Sequence, residues 1–226
     1  MKNIVVLTGA GISAESGIKT FRDADGLWEG YDIMEVASPD GWKKNPEKVL
    51  DFYNQRRRQL LKVSPNAAHF ALKKLEVSYK VSIITQNIDD LHERAGSTDV
   101  LHLHGELLKA RSTSDNNLVL DWTADINIGD CCDFNQQLRP HVVWFGEAVP
   151  MFRQAQEITA KADIFIIIGT SMQVYPAAAL LDLAPNNIPI YFIDPNPMLS
   201  TSKNLHVLTE KAVKAVPLLV EDLLKS

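Results

Sequence analysis

Ile4-Val5-Val6-Leu7-Thr8-Gly9-Ala10-Gly11-Ile12-Ser13-Ala14 joins an apolar run to a glycine turn, and its reading decides the fold. A strand that is apolar at every position is covered on both faces, the condition of a parallel sheet flanked by helices. Three more largely apolar segments, Val81 to Ile84, Ile164 to Ile168 and Ile190 to Ile193, end likewise at polar or glycine-containing turns. The expected class is α/β, a Rossmann-like parallel sheet that binds its ligand beyond the carboxyl ends of the strands. Gly9 to Ala14 also fits G-x-G-x-x-A, which would aim backbone N–H groups and a helix N-terminus at a pyrophosphate. A purely structural glycine turn is the competing reading. The ~20 residues that follow do not reach a second strand ending in an acidic ribose ligand, so a dinucleotide would be held otherwise than in an ordinary dehydrogenase.

The turns after these strands are where function is expected. They are Thr8 to Ser13, then Thr85-Gln86-Asn87-Ile88-Asp89, Gly169-Thr170-Ser171 and Asp194-Pro195-Asn196. Two stretches break the strand–helix rhythm: an aromatic-rich helical one from Asp23 to Val63, and a weakly patterned polar one from Lys109 to Arg139. We read both as one small inserted domain (23–63 and 109–139) within a discontinuous larger one (1–22, 64–108 and 140–226). Ala212 to Lys225 has the pattern of a closing amphipathic helix.

The chain has 226 residues, 46% of them hydrophobic, which is ample for a core. A net charge of −5 argues against a broad nucleic-acid footprint. No basic-then-apolar leader precedes the first strand and no apolar run approaches the ~20 residues that span a bilayer, so a cytoplasmic location without membrane contact is expected. The two cysteines, Cys131 and Cys132, are adjacent, which excludes an ordinary disulfide framework and suits a reducing compartment.

Within the helical stretch, Asn45 is a candidate N-cap, followed by Pro46 and Glu47, both suited to a first turn. Val49, Tyr53, Arg56 and Leu60 then fall at i, i+4, i+7 and i+11 on one apolar stripe, whereas Arg57 and Arg58 are expected to point elsewhere. A guanidinium on such a stripe needs an anionic partner, either a protein carboxylate or a ligand anion.

Gly9 to Ile18 with Thr20-Phe21-Arg22 resembles the NAD-binding signature of the sirtuins. Thr85 to Asp89, Leu103-His104-Gly105-Glu106, Val143-Trp144-Phe145-Gly146-Glu147 and Gly169 to Ser171 are similar to the family's other motifs, in the same order. The resemblance spans nearly the whole chain and implies an NAD-dependent protein lysine deacylase that yields nicotinamide and an O-acyl-ADP-ribose. It implies a cofactor site of Gly9, Ala10, Gly11, Ser13, Phe21, Arg22, Gln86, Asn87, Asp89, Gly169, Thr170, Ser171, Asp194 and Ala212. Asn87 and Asp89 would hold the nicotinamide ribose and carboxamide, and His104 would be the general base. Asp194 stands where the family often has Asn. An acyl-lysine protein would dock as an added strand along Val143, Phe145, Gly146 and Glu147.

His104 is also a reasonable base on its own chemistry, because imidazole titrates near neutrality. His102, two residues away, leaves a metal pair as the rival reading. Tyr53 and Arg56 match the Tyr-x-x-Arg of the class III sirtuins that remove succinyl, malonyl or glutaryl groups, and Ala24 matches their small pocket residue. Bacterial members of that subgroup often deacetylate too. The family's structural zinc is not expected, since Ser112, Asp115 and Gly129 stand with Cys132 where two Cys-x-x-Cys pairs would lie, leaving a degenerate zinc-ribbon region. A sirtuin-like ADP-ribosyltransferase and a non-catalytic NAD or ADP-ribose sensor are the alternatives. The oligomeric state is not legible.

Overall fold

The four apolar runs form the inner strands of one six-stranded parallel sheet. The computed structural model describes residues 1–19, 27–28 and 30–225. In chain order it contains β1 (Asn3–Thr8), β2 (Leu27–Trp28), β3 (Tyr31–Asp32), α1 (Ile33–Val36), α2 (Pro39–Lys44), α3 (Pro46–Leu60), α4 (Ala67–Leu75), β4 (Lys80–Thr85), α5 (Leu91–Arg94), β5 (Val100–His102), β6 (Gly105–Ser112), β7 (Val119–Asp121), β8 (Leu138–Val142), α6 (Phe152–Thr159), β9 (Ile164–Ile168), β10 (Ile190–Ile193), β11 (Leu205–Leu208) and α7 (Ala212–Lys225). The sheet order is β11-β10-β9-β1-β4-β5. Because β1 sits between β4 and β9, the chain winds away from it in both directions, and a crevice opens at that switch point.

Alternation within each strand explains the unbroken apolarity. Ile4, Val6, Ile83 and Ile166 face one layer, packed on Leu72 and Leu75 of α4 and on Val216 and Val220 of α7. Val5, Leu7, Ile84, Phe165 and Ile167 face the other, beneath Ala155 of α6 and Leu180. No helix among the described residues is long and apolar enough to cross a membrane.

The remaining elements build the helical module and a small antiparallel sheet of order β7-β6-β8. Asn45 caps α3 as expected, its Oδ1 accepting from Lys48 N at 3.0 Å. Arg57 points off that stripe as expected, yet it is fully buried. Its Nε donates to Leu107 O (3.1 Å) and its Nη1 to Asn54 Oδ1 (2.7 Å). Asn54 in turn exchanges two 2.9 Å bonds with the backbone of Ile126. The helix therefore has two buried flanks, with Leu50, Asn54 and Arg57 forming a second row at i, i+4 and i+7 that a one-stripe reading misses. Burial lowers the Arg57 pKa to about 10, so the guanidinium stays charged at neutral pH.

Candidate functional site

A groove of about 890 Å³ opens at the carboxyl ends of β1, β4 and β9, at the large end of ligand clefts (about 300–1,000 Å³). Its walls include Gly9, Ala10 and Gly11, Gln86, Asn87, Asp89 and His104, Gly169, Thr170 and Ser171, and also Tyr53, Arg56, Val143, Phe145, Gly146 and Glu147. Residues from six separate sequence motifs thus share one cavity.

The glycine turn is shaped by its neighbour as much as by any ligand. Gly11 N donates to Gly169 O at 2.8 Å, and a Cβ at Gly9 or Gly11 would lie 2.7 Å from Gly169 O or 2.6 Å from Gly169 Cα. The chain after β1 winds into two short 3₁₀ turns, Ala10–Ile12 and Ala14–Ser16, and not into the α-helix expected from the motif. The two turns pack backbone on backbone, which requires glycine at both positions.

Asn87 is held from several sides. Its backbone N–H donates to Thr85 Oγ1 (3.0 Å), and its Nδ2 lies 3.2 Å from both Gly9 O and Ser13 Oγ. Ser13 Oγ donates to Asp89 Oδ2 (3.0 Å), and Leu91 N donates to Asp89 Oδ1 (3.2 Å). Burial outweighs these bonds and raises the Asp89 pKa to about 6. Ser13 lies behind the groove wall and orders the residues that face it.

His104 and His102 anchor consecutive carbonyls. His104 Nδ1 lies 3.0 Å from Gln86 O and His102 Nδ1 lies 3.0 Å from Asn87 O. A carbonyl only accepts, so each Nδ1 carries the proton, and neutral His104 keeps its Nε2 lone pair for a reactant. Burial lowers the His104 pKa, which maintains that neutral form. His102 Nε2 is paired with Glu93 Oε1 at 2.7 Å, so both of its nitrogens are engaged. Burial opposes charge on His102 but Glu93 overrides it and raises its pKa. The metal-pair reading of the two histidines is thereby set aside.

Tyr53 and Arg56 meet in the same groove. Arg56 lies over the Phe52 ring at 4.2 Å, with Nη1 donating to Phe52 O at 3.0 Å. Phe21, Arg22 and Ala24 lie outside the described residues.

Val143 to Glu147, beside which an added peptide strand is expected, forms a turn following β8. Val143, Trp144, Phe145 and Glu147 direct their N–H groups to His104 O, Glu147 Oε2, Ala37 O and Trp144 O respectively. The Glu147 carboxylate is engaged internally by Arg139 and Arg111. Asp194 and Ala212 are buried behind the groove: Asp194 Oδ1 accepts from Asn196 N at 2.8 Å, and Ala212 packs in the core beside α4. Glu15, Gln59, Asn196 and Lys211, none of which was assigned a role from the sequence, line the groove instead. Asn196 and Lys211 follow Asp194 and precede Ala212 closely, so the motif located the loop but not its facing side chain.

Ser112, Asp115, Gly129 and Cys132 supply one thiol and one carboxylate, short of the four donors that a structural zinc takes. Ser112 Oγ is 3.6 Å from Cys132 Sγ, Gly129 has no side chain, and no cluster of three or more His, Cys, Asp or Glu among the described residues is arranged to hold a metal. Gln137 ties the loops instead. Its Oε1 accepts from Gly129 N (2.8 Å), and its Nε2 donates to Asn127 O, Asp130 O and Leu138 O at 3.0, 3.1 and 2.9 Å. Elemental analysis of protein purified without chelator is expected to find well under one zinc per chain; a value of about one would contradict this account of the donor set.

Comparison with known proteins gives a consistent result. The Sir2 family model matches residues 9–176. A protein of Helicobacter pylori strain 26695, named NAD-dependent protein deacylase, is 61% identical over 226 residues, 100% of this chain and 99% of that protein. A Bacteroides thetaiotaomicron protein of the same name is 51% identical over 223 residues, 96% and 95% of the two chains. A solved Sir2 homologue in complex with NAD superposes with a TM-score of 0.89 at 41% identity, covering 99% of this chain and 90% of its own. With the motifs gathered in one groove and the match running through them, the chain belongs to the Sir2 family.

Proposed function

We propose that the protein is an NAD-dependent protein lysine deacylase whose pocket favours acyl groups ending in a carboxylate, of the succinyl or malonyl type, while also accepting acetyl. The observation that carries the reading is one groove holding both His104, with Nε2 left free by the Gln86 anchor, and the Tyr53–Arg56 pair. The relatives' shared name supports the reaction class. A transferase or a sensor would have no use for a phenol and a guanidinium beside the catalytic histidine.

NAD, when bound, supplies an electrophilic ribose carbon and a nicotinamide leaving group. The close-packed turns of Gly9–Gly11 and Gly169–Ser171 would hold its phosphates, and Asn87 and Asp89 its nicotinamide ribose and carboxamide. His104 Nε2 takes the proton from a ribose hydroxyl. The substrate's backbone lies against the turn after β8, bringing the acyl-lysine into the groove. Arg56 and Tyr53 then offer a fork and a third donor to a terminal carboxylate.

Charge-assisted bonds of about 1.5–3 kcal/mol correspond to roughly tenfold to hundredfold selectivity. Arg56→Met is therefore expected to weaken desuccinylation by that factor relative to deacetylation. The assay is mass spectrometry of one lysine peptide, supplied in acetyl and succinyl forms with NAD. Equal losses on both substrates would refute the carboxylate clamp, and removal of neither by the wild type would refute the deacylase reading.

A further inference from the structure

We infer that Trp144 is a specificity-determining residue: its indole N–H occupies a lone pair of the Tyr53 hydroxyl, turning that hydroxyl into a donor aimed at the substrate's acyl end. The inference rests on the acyl preference proposed above. Trp144 Nε1 lies 3.1 Å from Tyr53 Oη. An indole N–H only donates, so Tyr53 accepts this bond and its own proton must point elsewhere. Arg56 cannot receive it, because a guanidinium has no acceptor. The Tyr53 hydroxyl is thus left as a donor, and it asks for an acceptor, which a terminal carboxylate supplies and an acetyl methyl does not.

The indole is fixed by residues far from the acyl pocket in sequence. Trp144 is 2% exposed, and the Arg139 guanidinium carbon lies 3.2 Å from its ring centroid. Arg139 donates to Glu147 Oε1 and Oε2 at 2.7 and 3.2 Å, and to Val142 O at 3.0 Å. Arg111 adds contacts of 3.3 and 3.2 Å to the same two oxygens. Trp144 N closes the loop by donating to Glu147 Oε2 at 2.8 Å. Arg111 and Arg139 face each other in register on β6 and β8. The small sheet that lacks a metal-binding cluster therefore reaches the acyl pocket through Glu147 and the indole.

Trp144→Phe keeps a ring for Arg139 and deletes the N–H. The ratio of kcat/KM for succinyl over acetyl peptide is expected to fall about tenfold, mostly through KM for the succinyl form. Because the ratio compares two substrates on one preparation, a loss of folded protein cancels. On a Tyr53→Phe background the same change should leave the ratio where Tyr53→Phe alone puts it, since the hydroxyl to be oriented is gone. If Trp144→Phe does not fold, benzothienylalanine at position 144, with sulfur in place of N–H, makes the same test. A ratio unmoved by removing the indole N–H, while Tyr53→Phe and Arg56→Met lower it, would overturn the role of Trp144 and leave the clamp standing. A ratio that none of the changes moves would instead overturn the acyl preference itself.

Discussion

His104→Ala is expected to lower acyl-peptide-dependent turnover by about two to four orders of magnitude, the range for removing a general base, while nicotinamide exchange persists. The two readouts separate on the proposed mechanism, in which the imidazole takes the proton of a ribose hydroxyl, a step outside nicotinamide exchange. The geometry makes the imidazole specific: Gln86 O holds Nδ1 at 3.0 Å, so only the Nε2 tautomeric site faces the groove. A base must be neutral to accept a proton. Burial lowers the His104 pKa below its usual 6.5, so wild-type kcat/KM should hold its plateau through neutral pH and decline only on the acid side of 6.5. A pH profile, with exchange and deacylation followed on the same preparations, checks both statements. Equal collapse of exchange and deacylation would mean that His104 shapes the NAD site and is not the base.

The interior of the sheet was legible because a strand between two helix layers has no solvent face, and β1, β4, β9 and β10 accordingly read as apolar runs. The edges were not. β5 has only three residues, one of them buried, and β11 has four, half-buried or exposed, too few to carry a pattern. Tyr53 and Arg56 followed from a single stripe at helical spacing. Arg57 did not, because nothing in a local pattern shows that a helix is covered on a second flank by a sheet contributed from fifty residues away. Motif spacing located the loops of the groove, but not which side chain of each loop faces it: Ser13 and Asp194 turned inward, while Lys211 and Asn196 took the wall. Trp144 sat inside a recognised motif, yet its bond to Tyr53 crosses 91 positions and only the fold brings the two together.

Asp89→Asn should stabilise the protein at neutral pH while depressing NAD-dependent turnover. Asp89 is 5% exposed, and its carboxylate is met by the Ser13 hydroxyl and the Leu91 N–H, both neutral donors. Burial raises its pKa from 3.8 to about 6, so between those values the folded chain binds more protons than the unfolded one. Stability from this group is therefore present at low pH, falls as pH rises through that window, and is constant above it. At about 1.4 kcal/mol per unit, the ionised carboxylate costs about 3 kcal/mol at neutral pH. Asparagine can still accept from Leu91 N, and its Nδ2 can donate to Ser13 Oγ, which has a second lone pair beside the one facing Asn87. For a chain of this size a gain of that order would raise Tm by roughly 5–10 °C. Denaturant unfolding at about pH 4.5 and about pH 7.5 should show the larger gain at the higher pH. A variant less stable than wild type at both would mean that the carboxylate's bonds outweigh its desolvation. The predicted sign bears on the role proposed for Asp89: a carboxylate that contacts NAD would have to be kept charged in this buried place at a cost in stability, which asparagine would remove together with the contact.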